Sequence, residues 1–390
     1  MVFLKSIALA SSRLVAGPAR TRAALLFAIL CGGAFSASAA PPPGTVTKSI
    51  LVPFSPQNGN RQVRSLSVHP NGQDWLFVEC LEQQDYRCDV MRYDLTSGKL
   101  FRYTLSRDYT YTYAHYSPRG TYILMSRRPR YGTSKEQSVR ASKDSQLLIM
   151  QSDGTGLAEI PVAPGVKLAP FMSPDETRIA FWRSGKILPP NNRIGLMEFD
   201  IWEFDLASKS ESLFSGKRFE FATGGNLQYI RNDEILFRSY GPDARFEAKF
   251  DYRDRYDGSH VYRLRRGQME VPEPVVYPDI RDADLPSIDK HGNTFLWGHT
   301  SDDRTQGIIR IASNGAQTIW RTRTARGPWD MTVDPNGEYL AAIYWDLPQS
   351  RTGRLGGFAK LDPHTATWTE IRVPAWEEAK PVPVPPPLPR

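Results

Sequence analysis

Arginine, tryptophan and histidine recur at the ends of apolar runs, and these are the residues best placed to do chemistry. The set is Arg127, Arg128, Trp182, Arg183, Arg238, Trp297, His299, Trp345 and Asp346, with Tyr113, His115, Trp329 and Asp330 beside neighbouring runs. Guanidinium groups bind carboxylates and phosphates through a planar fork, and Arg and Trp anchor interfaces. The mixture is basic and aromatic, which suits an acidic peptide or an acidic glycan. No His-x-x-x-His or His-Glu-x-x-His pair joins the six histidines, and no Gly-x-Ser-x-Gly elbow is present. Local spacing therefore offers no metal centre, no cofactor motif and no hydrolase nucleophile. Cys80 and Cys88 end and begin two apolar runs on either side of a seven-residue loop. Across a hairpin they would form a disulfide in an oxidising compartment.

The elements that must position these residues are announced by a repeated phrase. Ser173-Pro174-Asp175-Glu176 precedes Ile179-Ala180-Phe181-Trp182, and His69-Pro70-Asn71-Gly72 precedes Trp75-Leu76-Phe77-Val78. Ser117-Pro118-Arg119-Gly120, Asp289-Lys290-His291-Gly292 and Asp334-Pro335-Asn336-Gly337 precede similar runs, and Arg231-Asn232-Asp233-Glu234 is a degenerate copy. Pro presets φ in a tight turn, and Gly or Asn accepts positive φ. Six copies at a period of roughly 45 to 58 residues predict an all-β, six-bladed β-propeller. Each blade should have four antiparallel strands, A to D, with the phrase as its A–B turn. Strand C alternates, as in Asp200-Ile201-Trp202-Glu203-Phe204-Asp205-Leu206. Nothing reads as a long amphipathic helix. Thr45 to Phe54 is left over before the first blade and is expected to pair with the last one, closing the ring.

Residues 1–39 read as a cleaved export leader. Lys5, Arg13, Arg20 and Arg22 form the basic region, Ala23 to Gly33 is apolar, and Ala37-Ser38-Ala39 is the cleavage signal. The apolar stretch is short of the ~20 residues that span a membrane, so no transmembrane anchor is expected. Leu30 before Cys31 is too large for a lipoprotein signal. The leader takes four of the 49 basic residues and none of the 42 acidic ones, leaving 45 against 42, a net +3. The high pI is thus partly a leader effect and gives no ground for nucleic-acid binding. The propeller should fill 40–376 as one domain. Residues 377–390, rich in Pro, should be an extended or disordered tail.

The phrase Ser-Pro-Asp-x-x-x-Ile-Ala-Phe, followed by Asp-Ile-Trp-Glu-Phe-Asp-Leu, resembles the repeat of the TolB-like six-bladed propellers. The resemblance covers about 45 to 375 and is close in the third blade. The first repeat begins soon after the leader, so the α/β domain that precedes the propeller in the family's namesake is not expected here. What the resemblance implies is an exported propeller that binds something. We expect a monomeric periplasmic scaffold for a protein or peptide of the periplasm or envelope, with release outside the cell left open.

Topology selects the binding face. The B–C loops at 126–145, 183–199, 239–259 and 346–356 are long and share one face, whereas the A–B turns on the other face are minimal. Long insertions on one face mark where a scaffold binds. The loop Arg127-Arg128-Pro129-Arg130-Tyr131, with Lys135, Arg140 and Lys143, is strongly basic. Asp251, Asp254 and Asp257 show no calcium-loop spacing. Two alternatives stay open: a metal-dependent lyase or hydrolase acting on an acidic sugar, and a structural envelope protein that works through its Pro-rich tail.

Overall fold

The structure, a computed structural model, describes residues 46–50, 61–81, 87–132, 134–187, 196–215, 219, 227–239, 260–277, 280–300, 306–322, 328–346 and 354–385. The expected export leader lies outside them. So do most of the long loops at 188–195, 240–259 and 347–353. Among the described residues, no helix is long and apolar enough to cross a membrane.

Six sheets follow one another along the chain, each ordered as the sequence runs. Blade 1 is β2 (Arg61–Val68), β3 (Asp74–Leu81), β4 (Arg87–Asp94) and β5 (Lys99–Thr104). Blade 2 is β6 (Tyr109–Tyr116), β7 (Tyr122–Pro129), β8 (Gln146–Gln151) and β9 (Ala158–Glu159). Blade 3 is β10 (Val166–Met172), β11 (Arg178–Ile187), β12 (Leu196–Asp205) and β13 (Ser210–Leu213). Blade 4 has only β14 (Leu227–Arg231), β15 (Glu234–Ser239) and β16 (His260–Arg265) among the described residues. In place of a fourth strand it has a single bridge, Tyr262 to Pro274. Blade 5 is β17 (Ile280–Ile288), β18 (Thr294–Thr300), β19 (Gln306–Ile311) and β20 (Gln317–Thr322). Blade 6 is β21 (Pro328–Val333), β22 (Leu340–Asp346), β23 (Arg354–Asp362) and β24 (Thr367–Ile371). The six turn phrases are the six A–B turns.

Each B strand is apolar on both faces because both faces are buried. Phe181 packs toward blade 2 and its neighbour Trp182 toward blade 4. Leu76 and Phe77 divide in the same way between blades 2 and 6. The core is therefore six inter-blade layers rather than one centre. The turns are tied to each other as well. The His69 ring meets the Gly120 carbonyl, Arg119 N donates to Glu176, Asp175 N donates to Asn232, and Asn336 donates to the Pro70 carbonyl. This explains one glycine. Gly120 holds φ at +76°, and a Cβ there would collide with the His69 ring.

One sequence expectation needs correction. The leftover segment does form a strand, β1 (Val46–Ile50), but it pairs in parallel with β20 of blade 5, not with the last blade. Side chains close the seam between blades 6 and 1 instead. Trp75 Nε1 donates to Tyr339 Oη, Tyr339 Oη donates to the Gly72 carbonyl, and Trp75, Phe77, Tyr339 and Phe358 share one core. The basic B–C loop of blade 2 also holds a short helix, α1 (Lys135–Lys143), capped by Ser134 with a reciprocal contact from Gln137. At the other end of the chain, β25 (Lys380–Pro383) adds to the edge of blade 1 in parallel with β5. Trp376, just before it, lies beneath the guanidiniums of Arg87 and Arg102. Cys80 and Cys88 face each other across β3 and β4 and are disulfide-bonded.

Candidate functional site

All six A strands slip register, between Arg64 and Leu66, Tyr111 and Tyr113, Leu168 and Phe171, Tyr229 and Arg231, Asp284 and Ser287, and Pro328 and Asp330, and β17 slips a second time between Ile280 and Asp282. A bulge bends a strand and re-aims the side chains beside it. Among the residues that flank these bulges, Arg64, Tyr113, Asp284 and Asp330 come from four different blades. The Tyr113 phenol lies in the combined field of Asp330, Arg64 and Arg238. These groups belong to blades 2, 6, 1 and 4, so they converge on the axis. Burial, then Asp330, push the Tyr113 phenol up, while the two arginines oppose them.

The acidic members are already held. Asp330 is buried, and it accepts Leu66 N at 2.8 Å across the blade 6–1 seam and Met331 N at 2.9 Å. Asp284 accepts Leu285 N at 2.7 Å and pairs with Arg238 Nε at 3.0 Å. Arg128, near the end of β7, is half-buried, and its pKa is pushed down by burial first and then by the positive charge of Arg64. Its Nη1 approaches Ser138 Oγ of α1 at 3.5 Å. Guanidiniums from adjacent blades thus lie within electrostatic range of each other.

Placement divides the sequence candidates. Tyr113, Arg128, Arg238 and Asp330 belong to this cluster. His115 lies on the same wall but is buried, ring to ring with Phe171 at 5.1 Å, and desolvation pulls its pKa down to about 4. It is a neutral wall residue. Trp182 has no exposed surface and packs edge-on against Phe199 and Phe237, so it is core and offers a ligand nothing. Trp297 is likewise buried, in the seam of blades 5 and 6. Arg183 is taken by Glu211 at 2.5 Å and by the Trp202 ring at 4.1 Å, and Arg127 by Gln146 at 2.7 Å and the Tyr109 ring at 3.7 Å. His299 is half-buried near the end of β18, opposite Asp282. Trp329, Trp345 and Asp346 lie on β21 and β22, with side chains outside the described residues.

Sequence reasoning missed Arg64 and Asp284. A signal for them exists: a charged or aromatic residue stands four or five positions before four of the turn phrases, at Arg64, Tyr113, Asp284 and Asp330. Among the described residues, no group of three or more His, Cys, Asp or Glu is close enough to hold a metal ion.

No family model matches the chain, and no curated protein matches it. Solved structures do. TolB from Acinetobacter baumannii is similar at 15% identity and a TM-score of 0.50, over 80% of this chain and 63% of that one. This chain thus spans less than two thirds of that protein. The tricorn protease is similar at 14% identity and a TM-score of 0.51, over 82% of this chain and 27% of that one. An oligogalacturonate lyase in complex with manganese aligns at 9% identity with a TM-score of 0.49, over 86% of this chain and 90% of that one, too distant to bear on activity. At such identities a likeness shows the fold and not the work done on it: the chain has a six-bladed β-propeller fold similar to that of TolB.

Proposed function

We propose that this protein is an exported, non-catalytic scaffold that binds a protein or peptide partner of the periplasm or cell envelope through the channel-mouth face. The observation that carries this reading is the convergence of Arg64, Tyr113, Arg128 and Arg238 from three blades beside Asp330 and Asp284. Three arginines against two aspartates leave the set net basic, and focused charge of one sign favours a complementary partner. The basic and apolar leader supports export, and the Cys80–Cys88 disulfide fits an oxidising compartment. The metal-dependent lyase reading gains no support from the described residues.

The test is capture from cell-envelope extract with mature protein from Ala40 onward. Three baits are compared: wild type, Arg128→Glu, and Lys290→Glu on the turn face, where Lys290 is exposed. The expected result is a partner retained by wild type and Lys290→Glu and lost by Arg128→Glu. Equal retention by all three, or no specific retention by wild type, overturns the proposal.

A further inference from the structure

We propose that the outer edge of blade 1 is a strand-docking groove, filled in this structure by the chain's own C-terminal segment, and that it takes from a partner an extended peptide of the same pattern, an aromatic residue followed by alternating valine and proline. The groove lies on the rim of the ring, so the inference goes beyond the channel-mouth reading and does not rest on it.

The occupant shows what the groove reads. β25 lies parallel to β5, the outermost strand of blade 1, with Lys380 opposite Phe101 and Pro383 opposite Thr104. Successive side chains of a strand point to opposite faces. Val382 and Val384 pack on the core shared by blades 1 and 2, while Pro381, Pro383 and Pro385 between and beyond them are exposed. Gly154, in a turn of blade 2, makes room for the first valine, since a Cβ there would sit 3.2 Å from Val382 Cγ1. The Thr104 hydroxyl donates to the Val382 carbonyl at 2.9 Å and accepts Val384 N at 3.3 Å. It therefore holds the backbone whatever the side chains, as strand addition to a sheet edge does. Upstream, the Trp376 ring lies under Arg102 Cζ at 4.1 Å and Arg87 Cζ at 5.2 Å. Its Nε1 is buried with no hydrogen-bond partner among the described residues, so ring contacts hold it and another aromatic residue could take its place.

The occupant is exchangeable because it is held along one edge. Val382 and Val384 turn their backbone polar groups toward β5, and the prolines on the other edge have no N–H, so the sheet ends there. No residue from Pro374 to Val384 is fully buried. Opening such a segment is easier than opening a blade. A valine–proline peptide is already extended and loses little freedom on docking.

The test uses mature full-length protein and a labelled peptide with the sequence of residues 374–385, followed by fluorescence anisotropy. In wild type the tethered segment competes at an effective concentration of about 1 mM. The peptide should therefore bind wild type about a hundredfold more weakly than a full-length variant carrying Trp376→Ala and Val382→Asp, whose own segment is released. Thr104→Val added to that variant should weaken the peptide about fivefold, the loss of the backbone clamp. A peptide with both valines changed to aspartate should not bind. A peptide that keeps the tryptophan, valines and prolines, with alanine elsewhere, should bind as the parent does. No binding to the released variant, or equal binding to it and to wild type, overturns the groove. Failure of the alanine peptide ties the groove to this chain's own segment and overturns the partner. Val382→Asp alone replaces the double variant if that one does not unfold cooperatively, and loss of cooperative unfolding in both makes the segment part of the fold and overturns the proposal.

Discussion

Arginines gather in two places in this propeller, and the two differ in what faces them. At the seam of blades 3 and 4, Glu203 is 1% exposed. It accepts Arg266 Nε at 2.9 Å and Nη2 at 2.7 Å, Arg178 Nη1 at 3.1 Å and Tyr229 Oη at 2.6 Å. Arg178 also reaches Asp205 at 2.8 Å. Burial, with Glu203 beside it, holds the Tyr229 phenol well above its ordinary value. In the channel the same residue types, arginines and a tyrosine, gather beside Asp330, which accepts two backbone N–H groups, and Asp284, which pairs with Arg238. A buried carboxylate with four donors is a closed network that holds blades together. Like charges held side by side cost stability, and a fold keeps such an arrangement where something outside it is to be bound.

The comparison breaks first at Glu203. Glu203→Ala removes the common acceptor from two arginines and a phenol. It should lower unfolding stability by about 3 kcal/mol, the low end for a broken buried pair because Arg266 and Arg178 are partly exposed. Urea unfolding measures it, and a loss near zero would mean that the seam is held by packing alone. His115 tests whether the channel wall is as dry as the seam. Its folded pKa of about 4 lies below its free value of 6.5, so the fold favours the neutral ring. That contribution is complete above pH 6.5 and is lost as pH falls toward 4, on the order of 3 kcal/mol in all. His115→Phe should flatten the fall in stability between pH 7 and pH 4, and an unchanged slope would show a wetter wall. Gly120→Ala, on the far face, should cost about 2 kcal/mol through positive φ and the His69 contact, without changing ligand binding. A binding defect in that variant would show that the two faces are coupled.

The fold was legible because its signals are local. Pro70-Asn71-Gly72 or Asp334-Pro335-Asn336-Gly337 sets a turn by its own backbone preferences, and the apolar run that follows can only be a buried strand. Cys80 opposite Cys88 follows from hairpin register. The site was half legible. Tyr113, Arg128, Arg238 and Asp330 were read from strand position. Trp182 was misplaced because alternation gives two faces without saying which neighbour each one meets, and both faces of a blade are buried. Arg64 and Asp284 were missed because bulges in the A strands, not periodicity, aim them. The parallel pairing of β1 with β20 joins segments more than 250 residues apart, and no local signal specifies such a partner. The helix α1 was announced by Ser134-Lys135-Glu136-Gln137, a capping pattern hidden in a loop read only for its charge.

The central claim is that Arg128 is kept for a ligand and not for the fold, and Arg128→Gln tests it most directly. Removing the largely buried Arg128 guanidinium should raise unfolding stability by about 1 kcal/mol, roughly 2 °C in Tm, while retention of the envelope partner is lost. A higher Tm with lost binding in the same variant is the predicted result. A lower Tm with unchanged binding would make Arg128 a structural residue like Arg178 and contradict the account.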